Sequence, residues 1–332
     1  MRLLLLADRE ISFQGRYLAA ISDALAGRGA ETATFVAPAR RLYHAAVREA
    51  QATGCDHVHA CFMQDAPALL DAIASSAPQL TWSFSTFGLG AMVRSSGYLE
   101  SFSRLAERDE VTRILVHSIH PQVAARRARD LGIATRAKVV YVREPIYDPP
   151  DAFLVSRAAS RDALGLPVDR TIALCFGAFS PKKGGDLLVA AATGSATPLV
   201  LLVGAGASEL ATPGPNLRVD ASYVDYAVAA QYFRACDFVV LPYRRDYEDD
   251  TSGVLVQAAL AERPVIVPDV SPFRETVGEF ELGATFECEN VDSLAAAIAA
   301  MTRTTAPYGG FGHYLAGFEP WSQFAALVGD RT

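Results

Sequence analysis

Lysine and cysteine are both scarce in this 332-residue chain. Lysine and arginine together number 30, but only three of these residues are lysines, and two of the three are neighbours, Lys182 and Lys183. The five cysteines are odd in number and form no Cys-x-x-Cys pair, and four of them lie in or beside apolar segments. Such cysteines are typical of small buried side chains in a reducing compartment. We therefore expect a cytoplasmic protein.

Long hydrophobic runs are also missing. No apolar run approaches the ~20 residues that a membrane span requires. The apolar start of the chain stops at Asp8, short of the ~7–15-residue core of a signal peptide, and no cleavage site follows it. We interpret residues 3–7 as a first buried strand. With 51% hydrophobic and 20% charged residues, the chain is expected to be globular and long enough for two domains.

The sequence has no concentration of positive charge. Residues 1–150 carry 17 basic and 15 acidic side chains, whereas residues 151–332 carry 13 and 22. We expect no nucleic-acid partner, because such binding needs a basic face. The basic run 126–129 is typical of a solvated helix face, and a weak peripheral contact with an anionic membrane is the alternative. The sequence does not indicate an oligomeric state.

Short apolar strands alternate with helical segments along the whole chain. Continuously apolar strands that alternate with helices predict parallel sheets covered on both faces. The fold class is therefore α/β, with two doubly wound Rossmann-like domains. The predicted strands are 3–7, 32–36, 57–62, 80–84, 113–117 and 139–142 in the first half, and 171–176, 198–203, 217–219, 238–241, 264–267 and 284–286 in the second.

The domain boundary is predicted where three prolines interrupt the pattern, between 145 and 150. This gives an N-terminal Rossmann-like domain over 1–148 and a C-terminal Rossmann-like domain over 149–305. The segment 306–332 has a glycine-rich bend followed by a helical pattern. We expect it to cross back to the N-terminal domain.

Two adjacent lysines follow one of the predicted strands. Lys182 and Lys183 lie in a Gly/Pro-rich turn after the apolar run 172–176, and a helical segment comes next. The carboxyl ends of strands are where α/β sheets bind ligands. The Walker spacing is absent, so this is not a P-loop. We predict a phosphate contact, mainly through Lys183, and a solvated basic turn is the alternative.

The segment 249–257, Asp-Asp-Thr-Ser-Gly-Val-Leu-Val-Gln, predicts a polar loop that enters a helix. Thr251 and Ser252 are both good N-cap residues, and Gly253 allows a ligand to approach the backbone. A capped helix start with small residues in front of it is an anion site, because free N–H groups and the helix dipole face the ligand. An ordinary loop–helix–strand unit is the alternative interpretation.

Together these motifs resemble a glycosyltransferase of the GT-B fold, specifically the retaining, nucleotide-sugar-dependent family 4, with a cleft between its two domains. The resemblance covers most of the chain and is strongest over 171–300. It rests on Gly177 with Lys183-Gly184, on Val-Gly-Ala-Gly at 203–206 and on Ala-Cys-Asp at 235–237 with Leu-Pro at 241–242. The last element is the family's Glu-x7-Glu segment at 249–257, followed by Pro-Val-Ile at 264–266.

The chain departs from the family pattern at several positions. Both family glutamates are replaced, by Asp249 and Gln257. Asp249 retains a carboxylate for the donor sugar, whereas Gln257 can bind ribose hydroxyls only through its amide. The family's arginine after the first glycine is Ala178 here, and the segment 83–90 contains no histidine.

The resemblance also implies roles for single residues. Lys183, Asp249 and His59 are the implied catalytic residues. Gly15, in the loop after the first strand, is expected to close on the donor phosphates, and Val224 with Tyr223 to read the base through the backbone. Glu275 matches a recurring family glutamate. The full set of implied donor-binding residues is Gly15, Lys182, Lys183, Val224, Asp249, Asp250, Thr251, Ser252, Gly253, Val254, Gln257 and Glu275.

Histidines 57 and 59 alternate on a strand, so both imidazoles are predicted to point to the same face. The resemblance favours His59 for a place at the cleft, but a structural role is the more common one for a lone histidine. A metal site at Glu248-Asp249-Asp250 is the weaker hypothesis, because no Asp-x-Asp follows a strand in the expected way. We therefore expect no metal and no cofactor beyond the donor substrate.

The resemblance thus implies a metal-independent glycosyltransferase of the hexosyltransferase type, with an acceptor-binding domain over 1–148 and a nucleotide-sugar-binding domain over 149–305. Its partners would be a nucleotide-sugar donor and a hydroxyl acceptor, in the synthesis of a bacterial polysaccharide, glycolipid or metabolite. One alternative is a catalytically inactive, nucleotide-sugar-binding or partner-activating relative. Another is a different GT-B enzyme such as a nucleotide-sugar epimerase. A pyridoxal-dependent phosphorylase is disfavoured by the shortage of lysines.

Overall fold

The computed structural model describes residues 2–7, 12–37, 39–63, 65–133, 138–146, 150–192, 198–222, 224–304, 308–318 and 320–329. The chain divides into two compact units. The first unit comprises Met1–Tyr147, Asp249–Thr251 and Phe318–Thr332, and the second comprises Asp148–Glu248 and Ser252–Gly317.

Strands and helices alternate through the first part of the chain. In order they are β1 (Arg2–Ala7), α1 (Ser12–Ala26), β2 (Glu31–Val36), α2 (Ala39–Thr53), β3 (His57–Ala60), α3 (Ala66–Ala74), β4 (Thr81–Phe87), α4 (Gly90–Arg94), α5 (Ser96–Glu107), β5 (Val111–His117), α6 (Pro121–Asp130) and β6 (Val139–Val142). The six strands form one parallel sheet in the order β2-β1-β3-β4-β5-β6.

The second unit repeats the alternation. Its elements are α7 (Arg157–Ala163), β7 (Ile172–Phe176), α8 (Gly185–Ala191), β8 (Leu199–Val203), α9 (Ala207–Leu210), β9 (Leu217–Asp220), α10 (Tyr226–Ala235), β10 (Phe238–Val240), α11 (Gly253–Leu260), β11 (Val265–Pro268), α12 (Phe273–Glu279), β12 (Gly283–Phe286), α13 (Val291–Arg303) and α14 (Phe311–Ala316). Single 3₁₀ turns lie at Pro150–Leu154, Pro181–Lys183 and Arg245–Tyr247. The sheet order is β12-β11-β10-β7-β8-β9, again all parallel.

A last helix, α15 (Trp321–Gly329), belongs to the first unit and packs against α1. Its Phe324, Ala325 and Val328 are fully buried in the same cluster as Tyr17 of α1. The indole N–H of Trp321 donates to the Ile146 carbonyl oxygen at 3.0 Å. Aromatic packing and a hydrogen bond therefore hold the end of the chain in the first unit.

The strands form because their side chains are apolar on both sides of the sheet. In β1, Leu3 and Leu5 belong to the cluster under α1 and α15, whereas Leu4 and Leu6 belong to the cluster under α2, α3 and α5. All four leucines are fully buried. Burial of such a side chain stabilises the fold by about 1.5–3 kcal/mol, so a two-sided strand secures both layers at once.

All twelve predicted strands are present, and the prediction of two doubly wound parallel sheets is confirmed. Three boundaries differ by two residues or more, and one of them is the start of β5, at Val111 rather than at 113. The third strand ends at Ala60 rather than at 62, because Phe62 takes a left-handed φ of 58°. The fourth continues to Phe87 rather than ending at 84, since Ser85 and Thr86 are buried within the sheet.

Candidate functional site

The predicted phosphate-binding residues lie where the order of strands in the second unit reverses. From β7 the chain moves outward through β8 and β9, and it then returns to place β10 on the other side of β7. Open α/β sheets bind ligands at this switch point, outside the carboxyl ends of the strands. The loop after β7 carries Lys182 and Lys183, and the loop after β10 runs from 241 to the start of α11.

These two loops are fastened to each other by backbone contacts. Gly184 has a φ of 61°, and a Cβ atom there would lie 1.9 Å from the Pro242 carbonyl oxygen, so only glycine permits this approach. The Arg244 N–H donates to the Lys182 carbonyl oxygen at 2.9 Å. The Arg244 guanidinium also contacts Asp186 at 2.5 Å. The lysine turn is thereby held in one place relative to the loop after β10.

Both lysine ammonium groups lie over tyrosine rings of that second loop. The Lys182 Nζ atom is 4.8 Å from the Tyr247 ring centroid, and Lys183 Nζ is 5.4 Å from that of Tyr243 and 5.9 Å from that of Tyr247. The rings are buried, whereas Lys182 is exposed and Lys183 is half-buried. Attraction between a cation and the ring face orients the amines while leaving them accessible to an anion.

The start of α11 supplies a second source of positive potential. Ser252 is its N-cap, and the Ser252 Oγ atom accepts from the Leu255 N–H at 3.4 Å. The Tyr243 hydroxyl lies 3.1 Å from the same Oγ atom. A Cβ atom at Gly253 would meet no atom within 4 Å among the residues described. Apart from the Leu255 N–H, which Ser252 caps, the N–H groups of this first turn have no partner within the helix, and Gly253 leaves room beside them.

Gly177 lies between the lysine and the helix. Its φ is 116°, and a Cβ atom there would lie 3.3 Å from Lys183 Nζ and 3.8 Å from Val254 Cγ2. The structure thus brings together Lys183, the first turn of α11 and a glycine that leaves room between them. An ammonium group beside a helix N-terminus is an arrangement that binds anions, phosphate groups above all.

Gln257 and Glu275 lie on the helices beside this anion site. Gln257 comes one turn after Gly253 on α11, so both face the same side of the helix. Glu275 is in the first turn of α12, where its Oε1 atom accepts from Arg274 at 2.7 Å. Its Oε2 atom is buried and has no hydrogen-bond partner among the described residues. An unused carboxylate oxygen of this kind can accept a hydrogen bond from a ligand hydroxyl.

The acidic pair that precedes α11 has protein partners in the first unit. The Asp249 carboxylate accepts from Arg127 Nε at 3.2 Å, and that of Asp250 accepts from Arg94 at 3.0 Å through both oxygens. The Asp249 carbonyl oxygen also accepts from the Leu89 N–H at 2.8 Å. Burial raises the pKa of Asp249, although Arg127 partly opposes the shift.

These contacts bear directly on the predicted role of Asp249. Its side chain is only 4% exposed and its backbone φ is 64°, a conformation that is uncommon outside glycine. The carboxylate expected to bind the donor sugar is therefore already engaged by an arginine. Its catalytic role stays a prediction, and a sugar hydroxyl would have to share this carboxylate with Arg127 or displace it.

The histidine predicted to be catalytic is fully buried in the first sheet. His59 Nδ1 is 2.8 Å from Ser83 Oγ, and His57 Nε2 is 2.8 Å from the same oxygen, so the two imidazoles do face the same side. Burial, with a smaller contribution from His57, lowers the pKa of His59 to about 3, so the ring is neutral. These facts favour the structural role for His59, and the catalytic role stays a prediction.

For three further predicted residues, the structure offers few contacts that bear on the predicted role. Gly15 is not in a loop, because α1 already begins at Ser12, so the loop prediction for 12–16 is wrong. The exposed Gly15 has no described atom within 4 Å of a built Cβ. Val224 lies two residues before α10, and Tyr223 falls outside the described residues. Thr251 precedes the N-cap, which is Ser252 alone.

Within the described ranges, no group of three or more His, Cys, Asp or Glu side chains is arranged to hold a metal ion. None of the helices in the described part of the chain combines the length and apolar character that a membrane span requires. The five cysteines are all free thiols. Cys288 is the most exposed of them, and burial still raises its pKa to about 11.

Sequence reasoning missed the aromatic and arginine residues around the site. Tyr243 and Tyr247 lie in the loop directly after a predicted strand, and that position was a usable signal for them. The partner of Asp249 was not visible in the same way. Arg127 lies 122 residues away along the chain, in a run that the pattern indicated as a solvated helix face.

Comparison with known proteins finds a family match in the second half of the chain. Residues 170–304 match the family model described as "Glycosyl transferases group 1". The chain is similar to the D-inositol 3-phosphate glycosyltransferase of Mycobacterium avium, with 27% identity over 215 residues, 60% of this chain and 48% of that protein. The Mycobacterium tuberculosis protein of the same name is 28% identical over 217 residues, 60% of this chain and 42% of its own length. The chain thus spans about half the length of the curated relatives it matches.

Solved structures resemble the chain over nearly its full length. Sucrose-phosphate synthase from Thermosynechococcus elongatus superposes with a TM-score of 0.77 at 18% identity, covering 99% of this chain and 97% of that one. Anabaena HepE, solved in complex with UDP-glucose, gives a TM-score of 0.72 at 19% identity and covers 98% of both chains. Likeness at these identities shows the fold. Residues 170–304 are thus similar to a glycosyl transferases group 1 domain, in a chain that has the GT-B fold.

Proposed function

We propose that the protein is a retaining glycosyltransferase that moves a hexosyl group from a nucleoside diphosphate sugar to a hydroxyl acceptor. One observation carries the proposal: Lys183 Nζ and the first turn of α11 meet at Gly177, at the switch point of the second sheet. This is an anion site of the right kind for a diphosphate. The names of the relatives and the UDP-glucose bound to HepE support a nucleotide-sugar donor.

The difficult step in such a transfer is departure of the diphosphate while positive charge develops on the sugar. Positive groups aimed at the leaving phosphate stabilise that charge separation. Lys183, Lys182 and the N–H groups at the start of α11 supply them without a metal ion. We infer a metal-independent reaction in which the leaving phosphate helps to take the acceptor proton, so that no enzyme nucleophile is required.

The proposal assigns the remaining donor contacts to Gln257, Glu275 and Val224. The Gln257 amide and the unpartnered Glu275 Oε2 atom would bind hydroxyl groups, and the backbone at Val224 would contact the base. Gly15, Asp250 and Thr251 stay in the proposed donor set on the resemblance alone. The acceptor is assigned to the first unit, and the product would be a bacterial polysaccharide, glycolipid or metabolite made in the cytoplasm.

A second candidate is a catalytically inactive, nucleotide-sugar-binding relative. The ion pair between Asp249 and Arg127 favours it, because this pair occupies the carboxylate that an active enzyme would offer to the sugar. Gln257, which lacks the carboxylate expected there, points the same way. Such a protein would bind a nucleoside diphosphate through the same anion site but would not turn over.

Turnover by a Lys183→Ala variant tests the proposal. Wild-type protein and variant are incubated with UDP-, GDP-, ADP- and dTDP-glucose and a panel of hydroxyl acceptors, in the presence of a chelator. Loss of a main electrostatic donor should lower kcat by ~10²–10³. The anomeric configuration of the product, read by NMR, checks the retaining assignment.

Arg245→Ala is the matched control. Arg245 is a cation in the loop after β10 whose side chain is 63% exposed, and its ion partner Glu248 lies 4.0 Å away. We expect this variant to keep wild-type turnover. A Lys183→Ala variant with turnover within about twofold of wild type would contradict the phosphate assignment. Donor binding without turnover against any acceptor would favour the inactive relative.

A further inference from the structure

We propose that Tyr247 is a positioning residue that holds Lys182 and Lys183 toward the diphosphate. The inference rests on the proposed function, because it takes the two lysines to be diphosphate ligands. Of the two tyrosines, Tyr247 is the one whose ring lies under both ammonium groups, with Nζ-to-centroid distances of 4.8 Å and 5.9 Å. It is buried, so its ring presents a fixed surface to the two long lysine side chains.

The ring of Tyr247 is itself fixed by aromatic neighbours. It packs on Tyr243 with ring centroids 4.1 Å apart and planes inclined by 32°. Phe273, which is fully buried at the start of α12, contacts Tyr247 at 6.0 Å and Tyr243 at 5.6 Å between centroids. These three rings form one rigid platform under the lysine turn.

The platform is also linked to the second source of positive potential. The Tyr243 hydroxyl lies 3.1 Å from Oγ of Ser252, the residue that caps α11. The ring face of Tyr243 lies 5.4 Å from Lys183 Nζ. The tyrosine pair therefore fixes the spacing between the lysines and the helix N-terminus, which a diphosphate would have to bridge.

Such positioning has an energetic consequence. A lysine side chain has many rotamers in solution, and it loses part of this freedom when its ammonium group binds an anion. A ring that already orients the amine lowers this cost. Removal of the ring should therefore weaken diphosphate affinity about 3- to 10-fold, because cation–π attraction at a partly exposed site has this size.

The test measures affinity for UDP, GDP, ADP and dTDP by calorimetric titration in the presence of a chelator. We expect Tyr247→Leu to bind the preferred diphosphate about 3- to 10-fold more weakly than wild type, and Tyr247→Phe to bind it normally. In a Lys182→Met background the further loss from Tyr247→Leu should be at least twofold smaller, because one of the two partners is gone. Additive losses would overturn the inference.

Phe280→Leu is the control for lost packing. Phe280 is a buried ring of the second unit that packs on His313 and Tyr314, away from the lysines. We expect this variant to lose thermal stability but to keep its diphosphate affinity. Equal weakening in Phe280→Leu and Tyr247→Leu would reduce Tyr247 to a packing residue and overturn the inference.

A series of fluorinated phenylalanines at position 247 keeps the test decisive if Tyr247→Leu does not fold. Fluorination retains the shape of the ring and weakens the negative potential of its face, so affinity should fall stepwise with fluorine number. Constant affinity across the series, in a protein that binds the diphosphate, would overturn the inference and leave the proposed function standing. If the wild type binds none of the four diphosphates, the proposed function fails and the inference falls with it.

Discussion

The two units have the same layered architecture, but they treat the carboxyl ends of their strands in opposite ways. In the first unit, the imidazole of His117, the last residue of β5, is fully buried there among aromatic rings. In the second unit, the corresponding region presents two lysine ammonium groups and a helix N-terminus. The same fold can thus bury an imidazole at the carboxyl end of one strand and leave ammonium groups accessible after another.

The second unit buries a charged group at the amino ends of its strands. Arg161 is 1% exposed, and its guanidinium donates to the carbonyl oxygens of Ala235, Pro167, Val168 and Arg170 and to Asp237. Asp237 in turn accepts from the N–H of Ile172, the first residue of β7, at 2.7 Å. The buried Arg161 and the lysine turn therefore lie at opposite ends of the strands in this unit, so each can be substituted separately.

The largest effect is expected from Arg161→Met. The substitution leaves several carbonyl oxygens and a carboxylate without their donor, and breaking a buried ion pair in this way costs about 3–5 kcal/mol. Urea unfolding followed by far-UV circular dichroism measures the loss. Arg157→Met is the control, because Arg157 also pairs with Asp237 but its side chain is 45% exposed, and about 1 kcal/mol or less is expected. Equal losses of unfolding free energy in the two variants would show that burial of Arg161 adds nothing to the stability that its ion pair provides.

A pH effect that is smaller than this loss over any one pH unit is expected in the first unit. Burial lowers the pKa of both His59 and His117 from 6.5 to about 3. Between pH 6.5 and pH 3 the unfolded chain therefore binds more protons than the folded one. The free energy of unfolding should fall as the pH is lowered through this window, by up to about 1.4 kcal/mol per pH unit for each histidine.

Tryptophan fluorescence can follow this loss in the first unit, because both tryptophans of the chain, Trp82 and Trp321, belong to that unit. His117→Phe should reduce the pH dependence while keeping the ring stacked on Phe324. His44→Gln is the control for removing a histidine from the surface, since His44 is half-exposed, and its slope is compared with that of His117→Phe. An unchanged slope in His117→Phe would mean that a different group governs acid unfolding.

The smallest effect is expected from Gln257→Glu. A carboxylate on the second turn of α11 would bind a ribose hydroxyl more strongly than the amide does, so diphosphate affinity should rise about two- to fivefold. Calorimetric titration measures the change, and Gln257→Met should lower the affinity. If Gln257→Glu instead weakens binding tenfold, the side chain faces the phosphates rather than the ribose, because like charges repel.

The fold was predictable from sequence because its strands are apolar on both faces. The run Leu3 to Leu6 predicts a buried strand without any knowledge of the residues that pack against it. The prediction stopped early in β4, where Ser85 and Thr86 interrupt the apolar run. These hydroxyl residues are buried because a neighbouring segment of the same chain supplies hydrogen-bond partners. The Phe62 N–H, for example, donates to Ser85 Oγ at 3.0 Å. Hydrogen bonds between residues that are distant in sequence leave no local pattern from which the strand could be predicted.

The meeting of Lys183 with the start of α11 was partly predictable for a similar reason. A lysine turn after a strand and an N-cap before a helix are local features, and their meeting at Gly177 follows from the positions of β7 and β10 in the sheet. The tyrosine platform and the pairing of Asp249 with Arg127 depend on tertiary contacts instead. Nothing in the spacing of 249–257 indicates that the acidic residue already has an arginine partner.

The most direct test of the account is calorimetric titration of UDP, GDP, ADP and dTDP into the wild type and into Lys183→Ala, with a chelator present. The account predicts that one of the four binds the wild type without metal and binds the variant at least about tenfold more weakly, since a charge-assisted contact to phosphate is lost. Failure of all four to bind, or equal affinity in the two proteins, would contradict the claim that the lysine turn and the start of α11 form a diphosphate site.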